Sequence, residues 1–245
     1  MPFYQGLFGW EYRVVHDSAG ADFVLAVLAD EPVAGLRPRP GAVRDWTLYL
    51  ATDDLAARHR VRRLGWHGAG SPAPRGAGGG VKVLVDDAGG ATVGLAQPAA
   101  DWAFGAGAPG GLGWVEFVMR QGDRFFQRLL GYGQRQFGDG KTVDYVVYFA
   151  GEDSVVGRVR MDSGTPVDVP PRWIAHVQVN PDFGFEQTLG RARAAGGRLR
   201  LPPYPSTLGR VAVLSDPQGT RFAIIDPALA SDWDYTSAVD DPYDD

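Results

Sequence analysis

The stretch FYQGLFGW, residues 3–10, returns at residues 125–132 as FFQRLLGY, with Phe, Gln, Leu and Gly in register and aromatic or aliphatic exchanges between them. One eight-residue match decides nothing. Further pairs follow in the same order: EPVAGL (31–36) with DSVVGR (153–158), DWTLYLATDD (45–54) with RWIAHVQVNP (172–181), and VKVLVDDAG (81–89) with VAVLSDPQG (211–219). The offset drifts between 122 and 130 residues across these pairs as connecting segments change length. A period of that size marks duplication of a domain-sized unit, whereas a solenoid repeats at a shorter one.

Composition agrees with two small folded units. The chain has 245 residues, 44% hydrophobic and 22% charged, enough to bury a core in each half. Its 34 glycines and 18 prolines stop short of the range that signals wholesale disorder. No apolar run approaches the roughly 18 residues of a membrane span, and no charged, apolar and small-residue leader opens the chain. Zero cysteines exclude disulfides, thiol nucleophiles and cysteinyl metal sites, and the cytoplasm is the expected compartment. A net charge of −5 lacks the clustered positive charge that phosphate binding needs. The expected partner is therefore a small molecule, with neither nucleic acid nor membrane, and the chain is expected as a monomer or homodimer.

Within the second half, GWVEFVM (113–119) reads as a strand and GDRFFQRLLGY (122–132) supplies a helix with Phe125, Leu129 and Leu130 on one face and glycine at its end. DYVVYFAG and DSVVGRVRM read as two more strands. RWIAHVQVN restarts the unit as a strand, and FEQTLGRARAAGG follows as a helix stopped by glycines. GRVAVLSDPQGTRFAIID closes it as a hairpin about a DPQG turn, where Pro and Gly suit the turn positions.

These motifs resemble the tandem glyoxalase/bleomycin-resistance proteins of the vicinal oxygen chelate superfamily. The matching residues are FYQGLFGWE, PVAGL, DWTLYLATDD and GLAQP in the first half, and WVEF, FFQRLLGYG, WIAHVQV, AAGGRL, GRVAVLSDPQG and FAIIDP in the second. The resemblance spans nearly the whole chain and implies an α+β fold of tandem domains, each built of paired βαβββ modules forming one cupped mixed β-sheet. The expected division is an N-terminal domain at 1–100, a linker at 101–112, a C-terminal domain at 113–229 and an acidic disordered tail at 230–245. In the second half the first strand starts eleven residues before Phe125. Its first-half counterpart would precede Met1, so the first domain is expected to lack its first strand, and a start further upstream is the favoured reading because bare strand edges invite association.

Metal-using members of the superfamily carry His, Gln or Glu on the first and last strands of paired modules, facing the concave side. Those places fall here on Trp114, Ile174 and Ala223 in the second half, and on Thr47 and either Val93 or Gly94 in the first. None is a good ligand for a divalent ion. No metal and no cofactor are expected, and metal-dependent isomerase, dioxygenase and thiol-transferase chemistry is set aside.

Strand alternation then selects what lines the cleft. Val115, Phe117 and Met119 should pack under the helices, which turns Trp114, Glu116 and Val118 toward the cleft. Trp173, Ala175, Val177 and Val179 form a core side, leaving Ile174, His176 and Gln178 facing in. The same rule points Thr47, Tyr49 and Ala51 inward in the first half. Glu116 and His176 are the carboxylate and imidazole of one concave face, an acid/base pair if they meet, with the carboxylate raising the imidazole pKa and fixing its tautomer. A carboxylate and a His on neighbouring half-buried strands are more often a structural hydrogen-bonded pair or polar ligand contacts than a catalytic dyad. His16, His59 and His67 fall in a strand end, a polar helix and a loop. Two motifs are set aside: GDGKT (138–142) has Arg135 where a P-loop needs its leading glycine, and GAGSPAPRGAGGG (68–80) lacks dinucleotide-binding spacing and reads as a loop. Two functions remain open: metal-independent binding or sequestration of a small, partly aromatic metabolite or antibiotic through Trp114, Glu116, Ile174, His176, Gln178, Tyr49 and Thr47, or a metal-free enzyme of secondary metabolism using His176 and Glu116 for proton transfer.

Overall fold

The computed structural model describes residues 2–16, 22–36, 46–52, 67–68, 81–86, 92–97, 106–120, 125–138, 140–141, 144–161 and 163–230. The fold is α+β, mostly sheet with few helices. In the first half, helix α1 (Pro2–Phe8) is followed by β1 (Glu11–His16), β2 (Asp22–Leu28) and β3 (Glu31–Leu36), then by β4 (Tyr49–Ala51), β5 (His67–Gly68), β6 (Val81–Asp86) and β7 (Thr92–Gln97). The second half runs β8 (Leu112–Met119), α2 (Phe125–Leu130), β9 (Gly133–Phe137), β10 (Tyr145–Ala150), β11 (Asp153–Arg160), β12 (Arg172–Gln178), α3 (Gly184–Ala194), β13 (Arg198–Ser206), β14 (Gly209–Ser215) and β15 (Arg221–Asp226). His59, most of the glycine-rich stretch, Trp102 and the tail beyond residue 230 lie outside the described residues, and GDGKT does so in part.

All eight second-half strands join in one sheet, ordered β13-β14-β15-β12-β8-β11-β10-β9. β8 and β12 meet antiparallel at its centre, and each is flanked by the last strand of its own module in parallel: β11 beside β8 and β15 beside β12. The reading from residue order missed β9 and β13, which are the two ends of this sheet. GQRQF in β9 is polar except for Gly133 and Phe137, and β13 carries Pro202, Pro203 and Pro205. An edge strand needs only one bonded flank, so it tolerates polar faces and missing N–H donors that a central strand does not.

One sheet face is covered by helices. Val115, Phe117, Met119 and Trp173 pack with Phe126 and Leu129 of α2, and Val177, Val179, Leu214, Phe222 and Ile224 pack with Phe185, Leu189 and Ala192 of α3. This matches the alternation expected for β8 and β12. α3 ends ahead of Gly196, whose φ of 88° favours glycine. The first half contributes to both clusters. α1 buries Phe3, Tyr4, Leu7 and Phe8 along one face, a spacing set by helical period, and joins the α3 cluster. Leu50, Val93 and Leu95 of β4 and β7 join the α2 cluster. The Tyr4 hydroxyl donates to Asp216 at 3.0 Å and Trp173 Nε1 donates to the Thr92 carbonyl at 3.0 Å, so each cluster has a polar bond crossing between halves. Residues 106–111, within the expected linker, are tied to the end of β12 through Gly110 N to Gln178 O and Gln178 N to Gly111 O. Among the described residues, no helix is long and apolar enough to cross a membrane.

Candidate functional site

Among the described residues, no α-helix packs on the other face of the eight-stranded sheet. Its ground is apolar: Val118, Ile174, Val211, Val213, Ala223 and Ile225 form one cluster, and Trp114, Tyr145 and Val147 form a second. Trp114, Tyr145, Glu116 and His176 bring polar atoms into it, and the register puts the buried Arg172 and the half-buried Gln178 on the same face. The meeting of the first four follows from register. Glu116 lies opposite Ile174, and His176 lies opposite Trp114, so Glu116 and His176 are diagonal neighbours across the antiparallel β8/β12 pair, within reach of long side chains. On the other flank Glu116 lies beside Gly157 of β11. With no side chain at Gly157, the ring of Tyr145 lies across this position from β10; a Cβ there would fall 2.3 Å from Tyr145 Oη and 3.0 Å from Trp114 Nε1.

The result is a chain of polar groups. Trp114 Nε1 donates to Tyr145 Oη at 2.9 Å, and Tyr145 Oη donates to Glu116 Oε1 at 2.9 Å. Glu116 Oε2 stands 3.5 Å from His176 Nε2. His176 Nδ1 lies 3.2 Å from the Ile174 carbonyl, which can only accept, so Nδ1 carries the ring hydrogen. His176 is 1% exposed, Glu116 7%, Tyr145 8% and Trp114 9%. The imidazole is therefore enclosed behind its carboxylate. Burial pushes its pKa below the ordinary imidazole value, outweighing the raising effects of Glu116 and of the Ile174 carbonyl. That corrects the expectation of a raised imidazole: a fully enclosed ring loses more by giving up hydration of its charged form than one neighbouring carboxylate returns. The tautomer is set by the Ile174 carbonyl.

The remaining expected residues fall elsewhere. Ile174 is fully buried in the apolar ground. Gln178 lies at the end of β12 over Gly113, where a Cβ would come within 2.5 Å of its Cγ. Thr47 precedes β4 and is exposed, and Tyr49 is 38% exposed; the structure does not bring either to the four-residue chain. Tyr49 instead lies over Gly94, where a Cβ would fall 2.2 Å from its ring. His67, expected in a loop, sits in β5. Sequence reasoning did not single out Tyr145 or Gly157. The alternation of DYVVYFA would have put Tyr145 and Val147 on one face, but placing that face next to Glu116 required the register.

The resemblance implies that metal-using relatives hold a divalent ion on the concave sheet face, and the residues here can be tested against one. Glu116 and His176 are donors of the right chemistry. Their neighbours in register are Gly157, Ile174 and Ala223, which offer no side-chain donor. Among the described residues no group of three His, Cys, Asp or Glu is placed to hold a metal. The donor set does not fit the ion, and no step is routed through one.

No family model matches the chain. It is 32% identical over 241 residues to the protein named glyoxylase CFP32 of Mycobacterium tuberculosis, an alignment covering 92% of this chain and 88% of that one. It is 29% identical over 244 residues to the anthracycline biosynthesis protein DnrV of Streptomyces peucetius, covering 91% and 86%. Among solved structures, the Mn(II)-bound glyoxalase from Novosphingobium aromaticivorans shares the fold with a TM-score of 0.60 at 15% identity, over 95% of this chain and 81% of that one.

Proposed function

The chain belongs to the glyoxalase-like proteins of the vicinal oxygen chelate superfamily, and we propose that it binds a small, partly aromatic molecule on the second-half sheet face that lies away from α2 and α3, without a divalent ion. One observation carries the reading: Trp114, Tyr145, Glu116 and His176 form a linked polar chain in ground that is apolar but for Arg172 and Gln178, where the partner strands present Gly157 and Ala223. An apolar surface with few, well-placed polar groups is what a small-molecule site requires. Trp114, Tyr145 and Glu116 retain some exposure and are the contact groups. His176, enclosed behind Glu116, is a positioning residue. Similarity to a protein of anthracycline biosynthesis supports a flat aromatic polyketide as the ligand class, and secondary metabolism as the setting.

The opposition of His176 Nε2 to Glu116 Oε2 also favours a second reading, a metal-free enzyme that moves a proton on such a molecule. One experiment serves both. The protein, treated with chelator, is titrated into an anthracycline while ligand fluorescence and product mass are followed. Quenching at unchanged mass is the result expected for a binder, and Trp114→Ala should then lose about 1–3 kcal/mol of affinity. A new product mass selects the enzyme reading. Binding that requires one equivalent of divalent metal sinks the metal-free reading in either form.

A further inference from the structure

Every link of the polar chain has a donor and an acceptor except one. Trp114 donates to Tyr145, and Tyr145 donates to Glu116. At the far end Nδ1 of His176 holds its hydrogen toward the Ile174 carbonyl, which leaves Nε2 of the neutral ring a bare lone pair. It faces Oε2 of Glu116, also an acceptor when ionised, at 3.5 Å. A charge-assisted hydrogen bond would close to roughly 2.7–2.9 Å. Nε2 is buried and makes no hydrogen bond. Two acceptors thus face each other across a gap that one proton would fill.

We infer that this gap is the receiving end of a proton relay, and that the ligand is a phenol or enol whose hydroxyl ionises on binding by passing a proton through Tyr145 to the Glu116–His176 pair. The inference rests on the binding reading above. The ligand O–H bond breaks as an O–H bond forms at Tyr145, whose own former proton moves to Glu116 Oε1. A half-turn of the carboxyl group then presents that proton to Nε2 of His176. The ligand oxygen gains the negative charge that Glu116 loses. No oxidant or second substrate is needed, and the number of charges in the low-dielectric site does not change, which avoids the cost of burying a new one. Tyr145, released from Glu116, donates to the ligand oxygenate, while Trp114 still donates to Tyr145 and polarises it. Directly beside the gap the adjoining strands contribute Gly157, Ile174 and Ala223, none titratable; the charged group on the same face of β12 is the buried Arg172, opposite Val118 and the other diagonal neighbour of Glu116. The lowered basicity of the enclosed imidazole keeps the gap unfilled by solvent protons near neutrality.

The test uses alizarin, a dihydroxyanthraquinone whose visible band shifts on ionisation, beside unsubstituted anthraquinone, which has no proton to give. At a pH where free alizarin is mostly neutral, the bound dye should show an ionised fraction raised about tenfold, equivalent to one pH unit. Tyr145→Phe, which keeps the ring, should abolish the shift, and His176→Gln should do the same in a protein whose near-ultraviolet dichroism is intact. Alizarin bound without a shift, or a full shift retained in Tyr145→Phe, overturns the relay and leaves the binding reading standing. If neither dye binds, the binding reading fails and the relay with it.

Discussion

The two halves of the chain put corresponding residues into different surroundings. Tyr49 pairs with Gly94 in the first half as His176 pairs with Ala223 in the second, both across parallel strands. Yet His176 is 1% exposed and Tyr49 38%, and Thr47 is exposed where its counterpart Ile174 is buried. The difference lies in the neighbour. In the second half β8 stands between β11 and β12 and unites both modules in one sheet. In the first, among the described residues, β3 ends one sheet of three strands and β4 ends another of four. A sheet face becomes an enclosed site when a central strand brings side chains from both modules together; the residue at a given register position does not accomplish that alone.

The largest effect should come from the contact that binds the unlike halves to each other. Phe222 of β15 meets three α1 rings, Phe3, Tyr4 and Phe8, with centroids 5.9, 5.5 and 6.2 Å away. Phe222→Ala should cost about 3–5 kcal/mol in urea denaturation and move a single transition, because the first-half helix and the second-half sheet share that core. Two separated transitions would show instead that the halves unfold independently.

A smaller and sharper contrast pits the two glycines against each other. Gly157→Ala forces a methyl against Tyr145 Oη beneath enclosed neighbours, and should cost about 1–3 kcal/mol as overpacking. Gly94→Ala meets the Tyr49 ring even more closely, but that ring is partly exposed and can swing aside, so the loss should stay below about 1 kcal/mol. Equal losses in thermal melts would mean that the first-half face is as closed as the second.

The smallest expected effect concerns pH. His176 has a folded-state pKa below the ordinary 6.5, so the unfolded chain binds the extra proton first. Its contribution to stability is complete above that value and is lost as pH falls from there through the folded pKa. His176→Gln should flatten the stability profile in that window, while a change at Tyr49 should leave its slope alone. A wild-type profile flat from neutrality down to the carboxylate range would contradict the enclosed neutral imidazole.

Much of the site was legible because strand alternation is local. The order of WVEFVM and RWIAHVQV sufficed to put Trp114, Glu116, Ile174 and His176 on the face away from Phe117 and Trp173. The same local rules failed where a strand's position in the sheet overrides its composition, as in largely polar GQRQF and proline-rich RLRLPPYPS. In the first half alternation named Thr47 and Tyr49, but alternation says which way a side chain points and not whether another strand closes over it.

By itself the sequence determined the family resemblance and the two sides of the central strands, since strand period is a property of residue order alone; on α2 it named Phe125 where Phe126 is the ring buried with Leu129. Only the tertiary structure decided that Tyr145 reaches Glu116 across Gly157, that His176 is enclosed enough to lose basicity, and that Tyr49 stays open. Each of those depends on register and burial, which arise when strands far apart in the chain are laid side by side, and no local pattern of residues encodes how deep a side chain then lies.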